Sequence, residues 1–250
     1  MQRKELLAFL DDFLSVSLFR DYAPNGLQVE GSDVVRRILL GVSASQSIVD
    51  EAVRIGADTI LVHHGWFWKS EPAPIVGMKK RRLAPLLAHD INLISYHLPL
   101  DAHPSIGNNA EIARLLDLTV EARFGDYELL HVGRLTNGPM SVEHFAARVE
   151  EALGRRPLVL GRTTGTIERV AWCSGAAQDM LAQAAAAGAD LYLSGEVSER
   201  TTYEAEELGI TYLAAGHHAT ERFGIQALGR TLSHRWPLLD IQFFDTDNPV

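Results

Sequence analysis

The stretch TILVHHG, residues 59–65, decides the fold, because a short apolar run typical of a β-strand leads directly into two adjacent histidines. Residues 38–42 form an earlier apolar run with the continuous pattern of a strand covered on both faces. Between the two runs, apolar residues recur at helical spacing; Ser43 or Ser45 can cap this helix and Gly56 can end it. The sequence therefore predicts a strand–helix–strand unit whose second strand delivers the histidines at its carboxyl end.

The same order of elements occurs a second time along the chain. The tripeptide Gly-Ala-Asp stands at the helix-to-strand joint of both units, at residues 56–58 and at residues 188–190. Alternating strands and helices are typical of α/β layers with mainly parallel sheets. We therefore predict two similar α/β subdomains that face each other, the first from residues 1–125 together with 212–250 and the second from 126–211. Chance similarity between two strand–helix–strand units is the alternative.

Composition and charge exclude several classes of function. A net charge of −9 at pH 7 argues against a nucleic-acid surface, which needs a basic stripe. Cys173 is the single cysteine, so no intrachain disulfide can form and a reducing compartment is expected. Acidic residues within positions 1–14 argue against a signal peptide, and no apolar run approaches the ~20 residues of a membrane span. We expect a cytoplasmic protein with neither membranes nor nucleic acids as partners.

Three short windows hold six of the ten histidines of the chain. They are residues 62–65, 97–103 and 216–221, and each follows an apolar run with the pattern of a strand. In open α/β sheets, ligands bind beyond the carboxyl ends of the strands. The shared position after strands therefore makes the three windows candidates for one site.

The donors in these windows suit two metal ions better than one. Neighbouring residues at the end of a strand point in opposite directions, so His63 and His64 are expected to serve two ions lying side by side. His217 and Glu221 are four residues apart where a helix is predicted to begin, so they share a face. Asp101 adds an anionic ligand, and the two oxygens of a glutamate can bridge two metals. Five donors, one of them bridging, exceed the set of a single open catalytic site.

Imidazole and carboxylate ligands together favour zinc, iron, manganese or nickel and do not choose among them. His97, four residues before Asp101, is our candidate catalytic proton carrier, with a substrate contact or an outer partner of a ligand as alternatives. His103, His218 and Glu196 have a weaker claim to the site. Taken singly, an adjacent histidine pair is more often structural than metal-binding, and only the joint placement favours a shared site.

Other aromatic and histidine residues are expected to have structural roles. The aromatic run at residues 66–68 is expected to plug the core or contact another subunit, with stacking on a planar ring as the alternative. The histidines expected at the surface are His89, His131, His144 and His234.

Five motifs together resemble the YbgI-like dinuclear metal-centre family, also called GTP cyclohydrolase 1 type 2 homologues. They are DYAPNGLQVEG at 21–31, VHHG at 62–65, HLPLDAHP at 97–104, SGEVS at 194–198 and GHHATER at 216–222. The resemblance covers nearly the whole chain. It implies two similar α/β halves with the metal site in the cleft between them. It also implies a homohexameric ring, a toroid whose metal sites face its interior.

The resemblance also implies a ligand set for two divalent cations per chain. His63, Asp101 and Glu221 would hold one metal, and His64, His217 and Glu221 would hold the other. Phe223 departs from the pattern, because close relatives carry a small residue there, and it is expected to narrow the mouth of the cleft.

The activity that the resemblance implies is metal-dependent hydrolysis of a small molecule, with a nucleotide among the candidates. The two metals would acidify a water molecule, which with GTP as substrate would open the imidazole ring of the guanine and release formate. His97 would move protons. A phosphoester or amide hydrolase is the chemical alternative. A non-catalytic metal-binding ring or scaffold is the alternative outside enzymology.

Overall fold

The structure is a computed structural model that describes residues 1–250. The helices are α1 (Arg3–Phe13), α2 (Gln46–Ile55), α3 (Gly77–Ala88), α4 (Leu98–Asp101), α5 (Asn108–Leu115), α6 (Val142–Leu153), α7 (Leu181–Ala186), α8 (Glu199–Leu208) and α9 (His217–Arg235). Single 3-10 turns occur at Val16–Leu18, Asp126–Glu128 and Gln178–Met180. None of the helices combines the length and the apolar character that crossing a membrane requires.

The strands alternate with these helices along most of the chain, as the α/β class predicts. They are β1 (Gly26–Val29), β2 (Arg37–Ser43), β3 (Thr59–His64), β4 (Asn92–Ser95), β5 (Leu118–Phe124), β6 (Leu130–Leu135), β7 (Met140–Ser141), β8 (Leu158–Gly161), β9 (Thr166–Ile167), β10 (Arg169–Cys173), β11 (Leu191–Ser194), β12 (Thr211–Ala214) and β13 (Asp240–Phe243). The chain divides into two compact units, Met1–His103 with Ile225–Thr246 and Pro104–Gly224 with Asp247–Val250.

The first unit contains a five-stranded sheet in the order β1-β4-β3-β2-β13. Four of its strands are parallel, and only β1 runs antiparallel to its neighbour β4. Because β3 and β4 are parallel neighbours, Val62 lies beside Ser95, and the chain leaves both strands at the same edge of the sheet. This pairing brings the segment after β4, which begins with Tyr96 and His97, beside the two histidines that end β3.

The second unit contains a mixed six-stranded sheet in the order β5-β6-β10-β11-β12-β8. The three central strands β10, β11 and β12 are parallel, and β6 and β8 pair with them in the antiparallel direction. Trp172, Phe145 and Leu193 belong to the buried core on one side of this sheet. Phe223, the departure from the family pattern, packs against that core.

One aspartate makes the same hydrogen bonds in each unit. Asp58 Oδ2 accepts from the backbone N–H groups of Arg36 and Arg37, at 2.8 and 3.1 Å. Asp190 Oδ2 accepts from Glu168 and Arg169, both at 2.9 Å. The aspartate of each Gly-Ala-Asp joint thus fixes the start of the neighbouring parallel strand. The prediction of two similar α/β subdomains is confirmed.

The compact units divide the chain at other residues than the sequence-based halves, 1–125 with 212–250 and 126–211. Strand β5 pairs with β6, and β12 lies between β11 and β8, so all five strands belong to the second sheet. The sequence-based division placed β5 and nearly all of β12 in the first half. Strand pairing produces the difference, since the order of strands along the chain does not reveal which neighbour each one joins.

His131 lies in β6, and the prediction that it is a surface residue was wrong. The residue is 2% exposed, its ring lies 5.5 Å from the Trp172 ring, and its Nδ1 contacts the Leu129 carbonyl oxygen at 3.1 Å. Burial lowers the pKa of His131 to about 4. His89, His144 and His234 are exposed, as predicted.

The buried His131 predicts a loss of stability in mild acid. Its folded pKa of about 4 lies below the ordinary value of 6.5, so the unfolded chain binds the extra proton between these pH values and stability falls as pH falls. His131→Phe should reduce the acid-dependent loss in the free energy of unfolding by up to about 3 kcal/mol. Urea unfolding at pH 7 and pH 4.5 measures it, with exposed His144→Phe as the control. An unchanged pH dependence in His131→Phe would contradict the assignment.

Candidate metal centre

His63 is held at the end of β3 by contacts from the neighbouring strand. Its side chain is fully buried, and its Nδ1 lies 3.0 Å from the carbonyl oxygen of Tyr96. Because a carbonyl oxygen can only accept, Nδ1 carries the proton. The other ring nitrogen, Nε2, lies 3.4 Å from Asp101 Oδ1. The first unit therefore brings together two of the predicted ligands, an imidazole nitrogen and a carboxylate oxygen.

His64 does not point away from His63 as the alternation along a strand predicts. The two rings lie 4.4 Å apart between centroids, at an interplanar angle of 43°. Alternation fixes the direction of each Cβ, and rotation about the side-chain bonds then allows both rings to approach at the strand end. His64 Nδ1 is 3.1 Å from Ser43 Oγ on the paired strand β2.

His97 is held by a turn that the sequence analysis did not assign to the site. Its Nδ1 donates to Asp21 Oδ1 at 2.7 Å, and its backbone N–H donates to Asn25 Oδ1 at 2.8 Å. Burial would raise the pKa of Asp21, but the hydrogen bond and positive charge of His97, together with Asn25 and the Tyr22 N–H, lower it to about 2. Asp21 is therefore an anion that holds the Nδ1 edge of the His97 imidazole in place.

The second unit presents His217 between two carboxylates. His217 Nε2 lies 3.0 Å from Glu221 Oε2, as the four-residue spacing predicts, and its Nδ1 lies 2.7 Å from Glu196 Oε1. Burial would lower the pKa of His217, but the hydrogen bonds and charges of Glu221 and Glu196 raise it to about 9. Glu196, given only a weak claim from the sequence, is thus a direct partner of a predicted ligand.

Two glycines allow the backbone to approach this group closely. Gly175 has a φ of +67°, and a Cβ placed on it would overlap Glu221 Oε1 and lie 3.2 Å from His217 Nε2. A Cβ on Gly195 would lie 2.7 Å from the His217 Cα. The absence of side chains at both positions leaves the room that the His217–Glu221 pair and any ion bound to it occupy. Gly175 escaped the sequence analysis because its role depends on a contact distant in sequence.

Two aromatic residues after the histidine pair have different roles. Trp66 is buried and donates its Nε1–H to the Ala44 carbonyl oxygen at 2.7 Å. The prediction that the run fills the core is confirmed for this residue. Trp68 is only half-buried, and its ring lies edge-on to His97 at 5.0 Å and 6.1 Å from His64. Trp68 therefore forms one wall beside the histidines.

The two remaining candidates have other surroundings. The His103 ring lies 4.6 Å from the Phe13 ring, and burial lowers the pKa of His103. His218 is buried, and its backbone N–H donates to the Val250 carbonyl oxygen at 3.0 Å. The His103 ring thus packs against Phe13, and the backbone of His218 is bonded to Val250.

The donor chemistry in each unit fits a divalent transition metal. In the first unit, His63, His64 and His97 each offer a ligand atom within 4.8 Å of the others. The ligand candidates His63 and His217 each engage Nδ1 with an oxygen of their own unit, the arrangement that orients metal-binding imidazoles elsewhere. Imidazoles with a few carboxylates suit zinc, iron, manganese or nickel rather than calcium or magnesium.

Two α/β units, each with a histidine and carboxylate group of the metal-ligand type, define the class of protein. A family model, Duf34/NIF3 (NGG1p interacting factor 3), matches residues 1–249. A GTP cyclohydrolase 1 type 2 homolog of Allochromatium vinosum is 51% identical over 248 residues, which cover 99% of this chain and 97% of that protein. The homolog of Escherichia coli (strain K12) is 49% identical over 252 aligned positions, which cover 100% of both chains.

Solved structures agree with the sequence relatives. The protein ybgI, described as of unknown function, matches with a TM-score of 0.96 and 49% identity over 100% of both chains. The protein TTHA1606 from Thermus thermophilus matches with a TM-score of 0.90 and 37% identity, again over 100% of both chains. The chain belongs to the Duf34/NIF3 family. The resemblance inferred from the five motifs is confirmed.

Gly175 provides a test of the close approach to Glu221. Gly175→Ala should cost about 1–2 kcal/mol of stability from its positive φ and also lower zinc affinity at least about tenfold, because the new Cβ displaces the Glu221 carboxylate. Gly188→Ala is the matched control, since Gly188 has a φ of +78° and open space around its Cβ position. Thermal unfolding and zinc titration of both variants are the measurements. Equal zinc affinity in the two variants would refute the contact.

Proposed function

We propose that this protein is a dinuclear metal-dependent hydrolase of the GTP cyclohydrolase 1 type 2 kind. His63, Asp101 and Glu221 would hold one divalent cation, and His64, His217 and Glu221 would hold the other. The observation that carries the proposal is the fixing of Nδ1 in His63 and His217 by the Tyr96 carbonyl and the Glu196 carboxylate. With Nδ1 engaged, Nε2 is the nitrogen that can face a cation, and in both residues Nε2 lies near a carboxylate oxygen.

Charge balance also supports two cations. Asp101 and Glu221 are almost fully buried carboxylates, 6% and 3% exposed. Buried carboxylates need a cation or hydrogen-bond donors beside them, and each of these two has an imidazole nitrogen nearby, at 3.4 Å for Asp101 and 3.0 Å for Glu221. A divalent metal that takes the Nε2 lone pair of that imidazole would place a larger positive charge beside each carboxylate.

The chemistry at such a centre divides between the metals and the protein. When bound, a pair of divalent cations supplies an acidified water molecule and polarises the substrate. His97, held through Nδ1 by Asp21, would accept or deliver a proton at the reacting group through Nε2. The Trp68 ring lies edge-on to His97 at 5.0 Å and forms one wall beside it.

The names of the relatives direct the choice of substrate towards GTP. A first water would add at C8 of the guanine ring and open the imidazole ring to a formamide. A second water would hydrolyse that formamide, so that C8 leaves as formate and a free amine remains, while the phosphates stay intact. The proposal includes a small-molecule substrate, a cytoplasmic location and a homohexameric ring. A phosphoester or amide hydrolase and a non-catalytic metal-binding scaffold are the rivals that the assay below separates.

Product analysis with GTP tests the proposal. Protein loaded separately with zinc, manganese, iron or nickel should release formate without inorganic phosphate. Glu221→Ala should abolish this release and lower the metal content from about two per chain, because the bridging carboxylate is lost. Glu206→Ala, an exposed glutamate on α8, is the matched control and should behave as the parent chain.

The other outcomes decide against the proposal in different ways. Release of inorganic phosphate without formate would favour phosphoester hydrolysis. Two bound metals with no turnover of nucleotide, phosphoester or amide substrates would favour the non-catalytic scaffold. Retention of both metals by Glu221→Ala would contradict the bridging role of Glu221.

A further inference from the structure

The surface of the first unit carries a cluster of aromatic rings that the candidate metal centre does not use. Phe9 and Phe13 lie one turn apart on α1, and their rings stack with centroids 5.3 Å apart. The Trp236 ring, directly after α9, meets the Phe9 ring edge-on at 5.1 Å. All three residues are only half-buried, and all belong to the same compact unit. These three residues form one partly exposed surface, the aromatic patch.

The turn after α9 extends this apolar surface. Leu238 is 99% exposed. The turn that carries it is ordered, because the Trp236 N–H donates to the Leu232 carbonyl oxygen at 2.8 Å and the Leu239 N–H donates to the Trp236 carbonyl oxygen at 3.0 Å. A single exposed leucine is ordinary, but a leucine fixed two residues from the aromatic patch enlarges one apolar area. Apolar areas with a polar border mark contacts with other molecules.

Charged residues of both signs border the aromatic patch, and they form no ion pair within the chain. The Arg235 guanidinium lies over the Phe9 and Trp236 rings, 5.1 and 5.3 Å from their centroids. Glu5 and Asp12 lie within one helical turn of Phe9, so they share its face of α1. All three charged residues are exposed. The border is thus positive at the end of α9 and negative along α1.

This distribution of charge makes the surface complementary to a second copy of itself. In a two-fold contact the same surface meets itself in the opposite direction, so every residue is used twice. Rotation about an axis through the aromatic patch brings the positive border of one protomer against the negative border of its partner. The rings and Leu238 then bury apolar area between the protomers. Aromatic residues and arginine are also the residue types in which the binding energy of protein interfaces is concentrated.

We propose that the aromatic patch, with Leu238 and Arg235, is a two-fold interface between two copies of this chain. Arg235 of one protomer pairs with Asp12 of its partner, and the aromatic rings form the apolar centre of the contact. The occupant is a second copy rather than a different protein, because one surface carries both halves of the charge complement. Three such pairs can join into the homohexamer proposed above, but the contact itself needs neither that ring nor a bound metal.

Charge reversal tests the pairing through the mass of the assembly. Sedimentation velocity of the full chain at micromolar concentration should show an even number of protomers. Arg235→Asp and Asp12→Arg should each place like charges across the contact, weaken association about 100-fold and halve the mass of the assembly. The double variant, which again opposes a cation and an anion, should recover the parent mass. Lys80→Asp, at an exposed cation of α3, is the matched control and should keep the parent mass.

Leu238→Ser tests the apolar part of the contact. The leucine is 99% exposed, so its replacement should leave the folding of each chain unchanged. Because a two-fold contact loses the side chain from both protomers, association should weaken at least about tenfold. The dissociation constant of the assembly, measured by sedimentation equilibrium, gives the effect. An unchanged dissociation constant would overturn the place of Leu238 in the interface.

Three further results would overturn the two-fold interface. The first is a monomeric parent chain at micromolar concentration, which would assign the surface to a different partner. The second is an unchanged mass in both Arg235→Asp and Asp12→Arg, and the third is a double variant that stays dissociated although circular dichroism shows it to be folded. None of these measurements involves metal binding or turnover, so the interface and the hydrolase proposal can fail independently of each other.

Discussion

The fixing of imidazole nitrogens by oxygens of the same unit is the constraint on which the candidate site depends. His63, His97 and His217 each engage Nδ1 with a carbonyl or carboxylate oxygen, at distances of 2.7–3.0 Å. An imidazole held in this way loses its rotational freedom and its choice of tautomer before any ion arrives. The entropy cost of ordering these side chains therefore belongs to folding. When a cation binds, the imidazole rings already have fixed orientations.

The sheets supply these oxygens through their strand order. Because β3 and β4 are parallel neighbours, the Tyr96 carbonyl oxygen lies within reach of His63, and the chain after β4 carries His97 to the same edge. In the second unit, the chain after β11 brings Glu196 beside His217 at the beginning of α9. Both arrangements follow from the rule that ligands gather beyond the carboxyl ends of parallel strands.

The sequence predicts the parts of this arrangement that depend on local patterns. Apolar runs locate β3 and β4, the Gly-Ala-Asp joints reveal the repeated unit, and the four-residue spacing places His217 and Glu221 on one face. Contacts distant in sequence escaped it. Asp21 reaches His97 from 76 residues away, and its place in the DYAPNGLQVEG motif was the signal that could have identified it. The burial of His131 was not predicted, because it depends on which face of strand β6 is covered by other elements.

The proposed function has one central requirement, that each chain bind two cations side by side. Equilibrium dialysis of the full chain against zinc, with a count of tightly bound ions per chain, tests it most directly. Two ions of high affinity are expected, with X-ray absorption showing a metal neighbour at about 3.5–4 Å. One tight ion or none, or two ions without a metal neighbour at that distance, would contradict it.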